Sequence, residues 1–120
     1  MNVTLSQQFN FDASHQLDHL PADHPCHNLH GHGYVVLIEV SGTVDPVTGF
    51  LIDYNDIFRA VKPLITQLDH THLNNIPGLK IASTEYIARW LWERIKPKLP
   101  LLSKISISET PLTRCEYRGE

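Results

Sequence analysis

The sequence predicts an α+β domain, an antiparallel sheet in the order β-β-α-α-β-β with both helices on one face. Three observations carry this. Residues 3–15, about 30–41 and 104–110 alternate apolar and polar side chains with period two. Stretches near 53–68 and 83–95 instead repeat apolar side chains at helical spacing. The length, 120 residues with 42% hydrophobic side chains, suits one domain over residues 1–120 with its own core.

In the first strand Val3, Leu5, Phe9, Phe11 and Ala13 share one parity, with Gln7 the only polar intruder; Thr4, Ser6, Gln8, Asn10, Asp12 and Ser14 take the other. His15 has the apolar parity and ends the strand pointing toward the core. Residues 16–29 are a loop containing Pro21 and Pro25. In the second strand, about His30 to Ser41, Tyr34, Val36, Ile38 and Val40 share parity with His30 and His32. Side chains alternate across a strand, so antiparallel pairing would bring His15, His30 and His32 to adjoining ends of one face. Alone, His15 would read as a satisfied core histidine; its company makes it a candidate ligand.

Gly42 to Gly49 is a turn region, and Phe50-Leu51-Ile52 a short apolar link. Asp53 or Asn55 can cap a helix through about Leu68, with Ile57, Phe58, Val61, Leu64, Ile65 and Leu68 on one face. Pro63 lies inside it and is expected to kink it or leave its bonding partly unsatisfied. Pro77-Gly78 marks a turn. Ser83 caps a second helix with the stripe Ile87, Trp90, Leu91, Ile95, closed by Pro97 and Pro100. Glu109 has the parity of Ile105 and Ile107, so its carboxylate must find hydrogen-bond donors. Residues 115–118 make a last strand. Two helices cannot cover both faces of this sheet, and self-association is the expected protection for the remainder and for the edges.

Composition excludes several classes. A formal net charge of −3, with ten scattered Lys and Arg, speaks against a nucleic-acid surface. No apolar run is long enough to span a membrane, and the first residues lack the basic and apolar regions of a signal peptide. A cytoplasmic protein is expected, in which Cys26 and Cys115 would not form a disulfide. Eight histidines is a high number for this length, and His15, His19, His24, His27, His30 and His32 all fall in the first third.

The stretch Cys26-His27-Asn28-Leu29-His30-Gly31-His32 concentrates metal-binding chemistry. Imidazole suits zinc, and three protein ligands leave the fourth tetrahedral position open, as in catalytic sites. Cys26 has two readings: a fourth ligand closing a structural site, or a thiolate base or nucleophile standing off the metal. Asp69-His70 is a candidate acid–base pair, if the carboxylate orients the ring; as a dipeptide alone it reads first as a solvated loop. Glu109 could accept two parallel N–H bonds from a planar edge such as that of a pterin, or pair with an arginine.

Five segments carry a resemblance over essentially the whole chain: Phe11-Asp12-Ala13-Ser14-His15, Cys26 followed by His30-Gly31-His32, Leu68-Asp69-His70, Ser83-Thr84-Glu85, and Ser108-Glu109-Thr110. In order and spacing they resemble the 6-pyruvoyl-tetrahydropterin synthase superfamily. Most similar is its bacterial branch, the 6-carboxy-5,6,7,8-tetrahydropterin synthases of queuosine biosynthesis, which the ending Tyr117-Arg118-Gly119-Glu120 also matches. The resemblance implies one zinc ion per subunit on His15, His30 and His32, Cys26 as catalytic thiolate, and Asp69 with His70 as acid–base partners. It implies a pterin ring held by Glu109, with Ser83 and Thr84 nearby, although Ala82 and Ser83 stand where the family pattern has Pro and Thr. It further implies the tunnelling fold: sheets closed into a barrel by trimers, two trimers stacked as a homohexamer, and sites between subunits. The implied activity is that of a lyase turning 7,8-dihydroneopterin triphosphate into 6-carboxy-5,6,7,8-tetrahydropterin, acetaldehyde and triphosphate. The three residues between Cys26 and His30 favour this branch over the pyruvoyl enzymes. The rivals are a 6-pyruvoyl-tetrahydropterin synthase and a structural zinc module without turnover. No signal singles out Lys62, Lys80, Arg89 or Arg114 as the triphosphate ligand.

Overall fold

Uninterrupted alternation builds a hairpin of two 14-residue strands, β1 (Asn2–His15) and β2 (His30–Thr43), in a computed structural model that describes all residues from Met1 to Glu120. They pair antiparallel in a register that sets Phe9 opposite Val36, Phe11 opposite Tyr34 and His15 opposite His30. α1 (Tyr54–Leu68) and α2 (Thr84–Ile95) follow, then β4 (Leu102–Ser108) and β5 (Cys115–Tyr117). Between the helices lies β3, Thr71–His72, and the sheet order is β3-β1-β2-β4-β5.

Two expectations about the sheet need correction. It has five strands, and β3 runs parallel to β1, pairing Ala13 with Thr71 and Ser14 with His72, so the sheet is not wholly antiparallel. Two residues are too few to give a periodic signal. Their pairing is set by His70, whose φ of 56° turns the chain and whose N–H donates to the Asp12 carbonyl at 2.6 Å. The left-handed region is uncommon for side-chain-bearing residues, though histidine is among those enriched there. Further on, β4 ends at Ser108, so Glu109 lies just past the strand.

Both helices cover the face carrying Phe9, Phe11, Ala13, Val36, Ile38, Val40, Ile105 and Ile107. α1 contributes Ile57, Val61, Ile65 and Leu68, and α2 contributes Ile87, Trp90, Leu91 and Ile95. Asp53 caps α1 by accepting from the Asn55 N–H at 2.8 Å, and Ser83 caps α2 by accepting from Tyr86. Phe58 is half exposed at the edge of its stripe, stacking on Phe9 at 6.2 Å, rather than lying in the core. The helix continues through Pro63 instead of breaking there. Pro63 and Arg59, whose carbonyl loses its partner, are both exposed, so water can take that hydrogen bond.

The molecule measures 57 × 24 × 24 Å. A 14-residue strand reaches about 46 Å, whereas a 15-residue helix reaches only about 22 Å. The helices therefore leave the ends of the hairpin uncovered. The opposite face carries no helix, and its β1 residues Thr4, Ser6, Gln8, Asn10 and Asp12 are exposed and polar. No helix is long and apolar enough to cross a membrane.

Candidate metal centre

The register of β1 against β2 assembles the histidines. His15 faces His30 directly, and His32 is the partner of Ala13, one alternation further along the same face. One nitrogen from each ring falls within 4.8 Å of the other two. His15 is buried and the other two are half buried. Burial holds the His15 imidazole below its usual pKa, with the Ala82 carbonyl pulling the other way.

Hydrogen bonding fixes the tautomers of two rings. His15 Nδ1 lies 2.7 Å from the Ala82 carbonyl oxygen, and His30 Nδ1 lies 2.7 Å from that of Asn28. A carbonyl only accepts, so both Nδ1 atoms carry protons. The two Nε2 atoms nevertheless face each other at 2.8 Å. In neutral rings both present lone pairs, which repel. Protonating His15 would relieve the contact, but burial opposes it. A shared cation relieves it without that cost. His32 Nε2 points the same way: it is buried without a hydrogen-bond partner, an exception that calls for an explanation. The residues fit a metal ion, and the backbone carbonyls on His15 and His30 are the outer partners that metal-bound imidazoles ordinarily have.

Other groups ring the cluster. Tyr34 Oη lies 3.3 Å from His15 Nδ1, and burial raises its pKa. Glu109 finds no arginine; its carboxylate oxygens sit 3.9 Å from His15 Nε2 and 3.6 Å from His32 Nε2. Cys26, half buried, is not among the atoms that converge, and neither cysteine is in a disulfide.

Asp69 and His70 do meet, with His70 Nδ1 3.0 Å from the carboxylate, leaving Nε2 free. The backbone of Asp12 holds both, since its N–H donates to Asp69 Oδ1 at 2.9 Å and its carbonyl accepts from the His70 N–H. The Asp12 N–H, and after it His70, lowers the Asp69 pKa. His70 is 78% exposed, and no hydrogen bond joins the pair to Cys26 within one chain. The Ser83 hydroxyl is engaged as the cap of α2, and the Thr84 hydroxyl donates to Glu85 at 2.7 Å.

The sequence reading missed the groups that act through the backbone: the carbonyls of Ala82 and Asn28, and the Asp12 amide. Such contacts have no residue signature. They also explain why alanine is tolerated at position 82, since the carbonyl does not depend on the side chain. Tyr34 was within reach, having the parity of His30 and His32.

Fold and site together define an α+β protein with a three-histidine centre at the loop end of a long hairpin. A family model described as 6-pyruvoyl tetrahydropterin synthase matches residues 4–120. Human 6-pyruvoyl tetrahydrobiopterin synthase is 31% identical over 132 aligned positions, covering 97% of this chain and 91% of that protein. The 6-carboxy-5,6,7,8-tetrahydropterin synthase of Synechocystis sp. is 30% identical over 117 positions, covering 92% of this chain and 89% of that one. The solved structure of Caenorhabditis elegans 6-pyruvoyl tetrahydropterin synthase superposes with a TM-score of 0.92 at 26% identity, covering 100% of this chain and 97% of that one. The chain belongs to the 6-pyruvoyl tetrahydropterin synthase family, whose enzymes are lyases acting on pterins.

Proposed function

We propose that the chain is a zinc-dependent 6-carboxy-5,6,7,8-tetrahydropterin synthase of queuosine biosynthesis, acting in the cytoplasm. It would convert 7,8-dihydroneopterin triphosphate to 6-carboxy-5,6,7,8-tetrahydropterin, acetaldehyde and triphosphate. The observation that carries this reading is the convergence of three imidazoles, two with bare Nε2 atoms facing each other and the third with a buried Nε2 that has no partner, while the Cys26 thiol stays out of the cluster. That is the donor set of an open site.

His15, His30 and His32 would hold one zinc ion per subunit. When bound, zinc supplies Lewis acidity to oxygens of the substrate side chain, which acidifies the adjoining C–H and O–H bonds. Glu109 accepts two parallel N–H bonds from the pterin edge and so fixes the ring, with Ser83 and Thr84 nearby. Cys26, as thiolate, removes a proton from the side chain. His70 gives or takes protons at Nε2, the nitrogen left free by Asp69. The exposure of His70, and the lack of any hydrogen bond from the Asp69–His70 pair to Cys26, support a site completed by another copy of the chain. The uncovered polar face of the sheet supports closure into a barrel, as trimers stacked into a homohexamer.

Two observations favour the carboxy branch over a 6-pyruvoyl synthase. Only three residues separate Cys26 from His30. The alignment to the human pyruvoyl enzyme needs 132 positions for 97% of this chain, so it carries insertions relative to it. The alignment to the Synechocystis carboxy enzyme needs 117 for 92%. The test is anaerobic incubation of zinc-loaded protein with dihydroneopterin triphosphate, assaying acetaldehyde and the pterin product together. Both products are expected. A pyruvoyl product without acetaldehyde would move the protein to the other branch, and no product would revive a structural zinc module.

A further inference from the structure

The loop between the two ligand strands uses two histidines that the metal centre leaves over. His24 Nδ1 accepts the backbone N–H of Cys26 at 3.1 Å, capping the short 3-10 turn Pro25–His27. His27 Nδ1 lies 2.9 Å from the Leu20 carbonyl oxygen. The backbone closes the same loop: the Cys26 carbonyl accepts from the Leu17 N–H at 3.0 Å, and the His27 N–H donates to the His24 carbonyl at 3.0 Å. Leu17 lies two residues past His15, so these bonds tie the thiol-bearing turn to the end of β1.

The partners dictate the protonation pattern. An amide N–H only donates, so His24 Nδ1 must be bare and its proton must sit on Nε2. A carbonyl only accepts, so His27 must carry its proton on Nδ1. These two rings, three positions apart, are held in opposite tautomers, each suited to one backbone group. The rest of the loop is rich in exposed polar side chains and prolines from Asp18 to Pro25 and offers little packing to hold Cys26.

We propose that His24 and His27 are positioning residues for Cys26, clamping its turn from both sides so that the thiol stays off the metal and at a fixed place beside it. This rests on the reading of Cys26 as the reactive thiol. Neither histidine need touch substrate. His24 decides whether the Cys26 amide is capped, and His27 decides whether the turn is held against Leu20. Asparagine at position 24 can supply an oxygen to the same amide, as it does at helix caps, whereas alanine cannot.

The experiment uses the full-length zinc-loaded chain as wild type, His24→Ala, His24→Asn and His27→Ala. Imidazole nitrogen chemical shifts report the tautomers. Peptide-resolved alkylation by iodoacetamide reports the Cys26 thiol, and turnover reports kcat and KM separately. The expected result is an Nε2–H tautomer for His24 and an Nδ1–H tautomer for His27. His24→Ala should lower kcat by about ten- to a hundredfold, the scale of a misplaced reacting group, with KM unchanged. The Cys26 alkylation rate should change with it, and His24→Asn should recover both to within about threefold of wild type. The same tautomer on both rings, or alkylation and kcat in His24→Ala equal to wild type, would overturn the proposal. So would an asparagine variant no better than alanine. If wild type itself does not turn over, the functional reading fails, and tautomers and alkylation rates still decide the positioning role.

Discussion

His15 and His30 face each other with Nε2 atoms 2.8 Å apart while both Nδ1 atoms rest on backbone carbonyls. A cation between the rings would satisfy both bare nitrogens at once. His30→Ala or His32→Ala should weaken zinc affinity by more than about 100-fold, the upper end for losing a mere outer partner. Competition with a chromophoric chelator measures it. Zinc bound as tightly by both variants as by wild type would remove these rings from the site.

Chelation should abolish turnover without unfolding the chain. The core formed by Ile38, Ile65, Leu91 and Ile105 is fully buried and does not include the cluster. Removing a ligand that binds only the folded state lowers stability by its linkage term, about 2.7 kcal/mol at a hundredfold excess over Kd. Far-UV circular dichroism after dialysis against a chelator should retain its sheet and helix signal with a lowered Tm. Loss of that signal at room temperature would mark a structural metal.

In the proposed function Glu109 holds the pterin ring. Its carboxylate meets only imidazole nitrogens, at 3.6 and 3.9 Å, and no arginine. Glu109→Gln should keep zinc and raise the substrate Kd by about 10- to 100-fold, the range of a charge-assisted hydrogen bond. Titration calorimetry with a pterin checks this, and unchanged affinity would contradict it.

The pH dependence of stability has two limbs with opposite signs. Asp69 is held below its ordinary value of 3.8, first by the Asp12 N–H and then by His70, and Glu116 below 4.5 chiefly by Lys104. Depressed carboxyls give stability that is present above the unfolded values and lost as pH falls through the folded ones. Lys104, 2.6 Å from Glu116 and 3.0 Å from Glu39, is held above 10.5 by both, Glu116 first. Its contribution is full below 10.5 and lost as pH rises through the raised value. Between these limits His15, held below 6.5 by burial, costs stability as pH falls through 6.5, and Cys115, held above 9.0 by burial, costs it as pH rises through 9.0, so the level stretch lies between those two values. Lys104→Met should flatten the alkaline limb and return Glu116 toward 4.5 in carboxyl NMR, and a Glu116 left unmoved would refute the pairing.

The histidine cluster was legible in the sequence because a strand's parity is strict: His15, His30 and His32 could only share a face if β1 and β2 paired. Ser83 was legible for a similar reason, since a cap is a local device. The parallel pairing of β3 was not. It depends on His70 adopting positive φ against Asp12, a residue 58 positions earlier in the chain, and no local pattern encodes that. Phe58 misled because helical spacing gives the direction of a side chain but not how far the sheet extends beneath it. The Asp69–His70 contact reads from the dipeptide as an ordinary loop, and only the Asp12 backbone fixes it.

The measurement that bears most directly on the central claim is X-ray absorption at the zinc edge of the loaded chain. An open site on His15, His30 and His32 with Cys26 standing apart requires three imidazole nitrogens and an oxygen neighbour at about 2.0–2.1 Å, and no sulfur. A sulfur scatterer at about 2.3 Å would put Cys26 on the metal, close the fourth position and contradict the account.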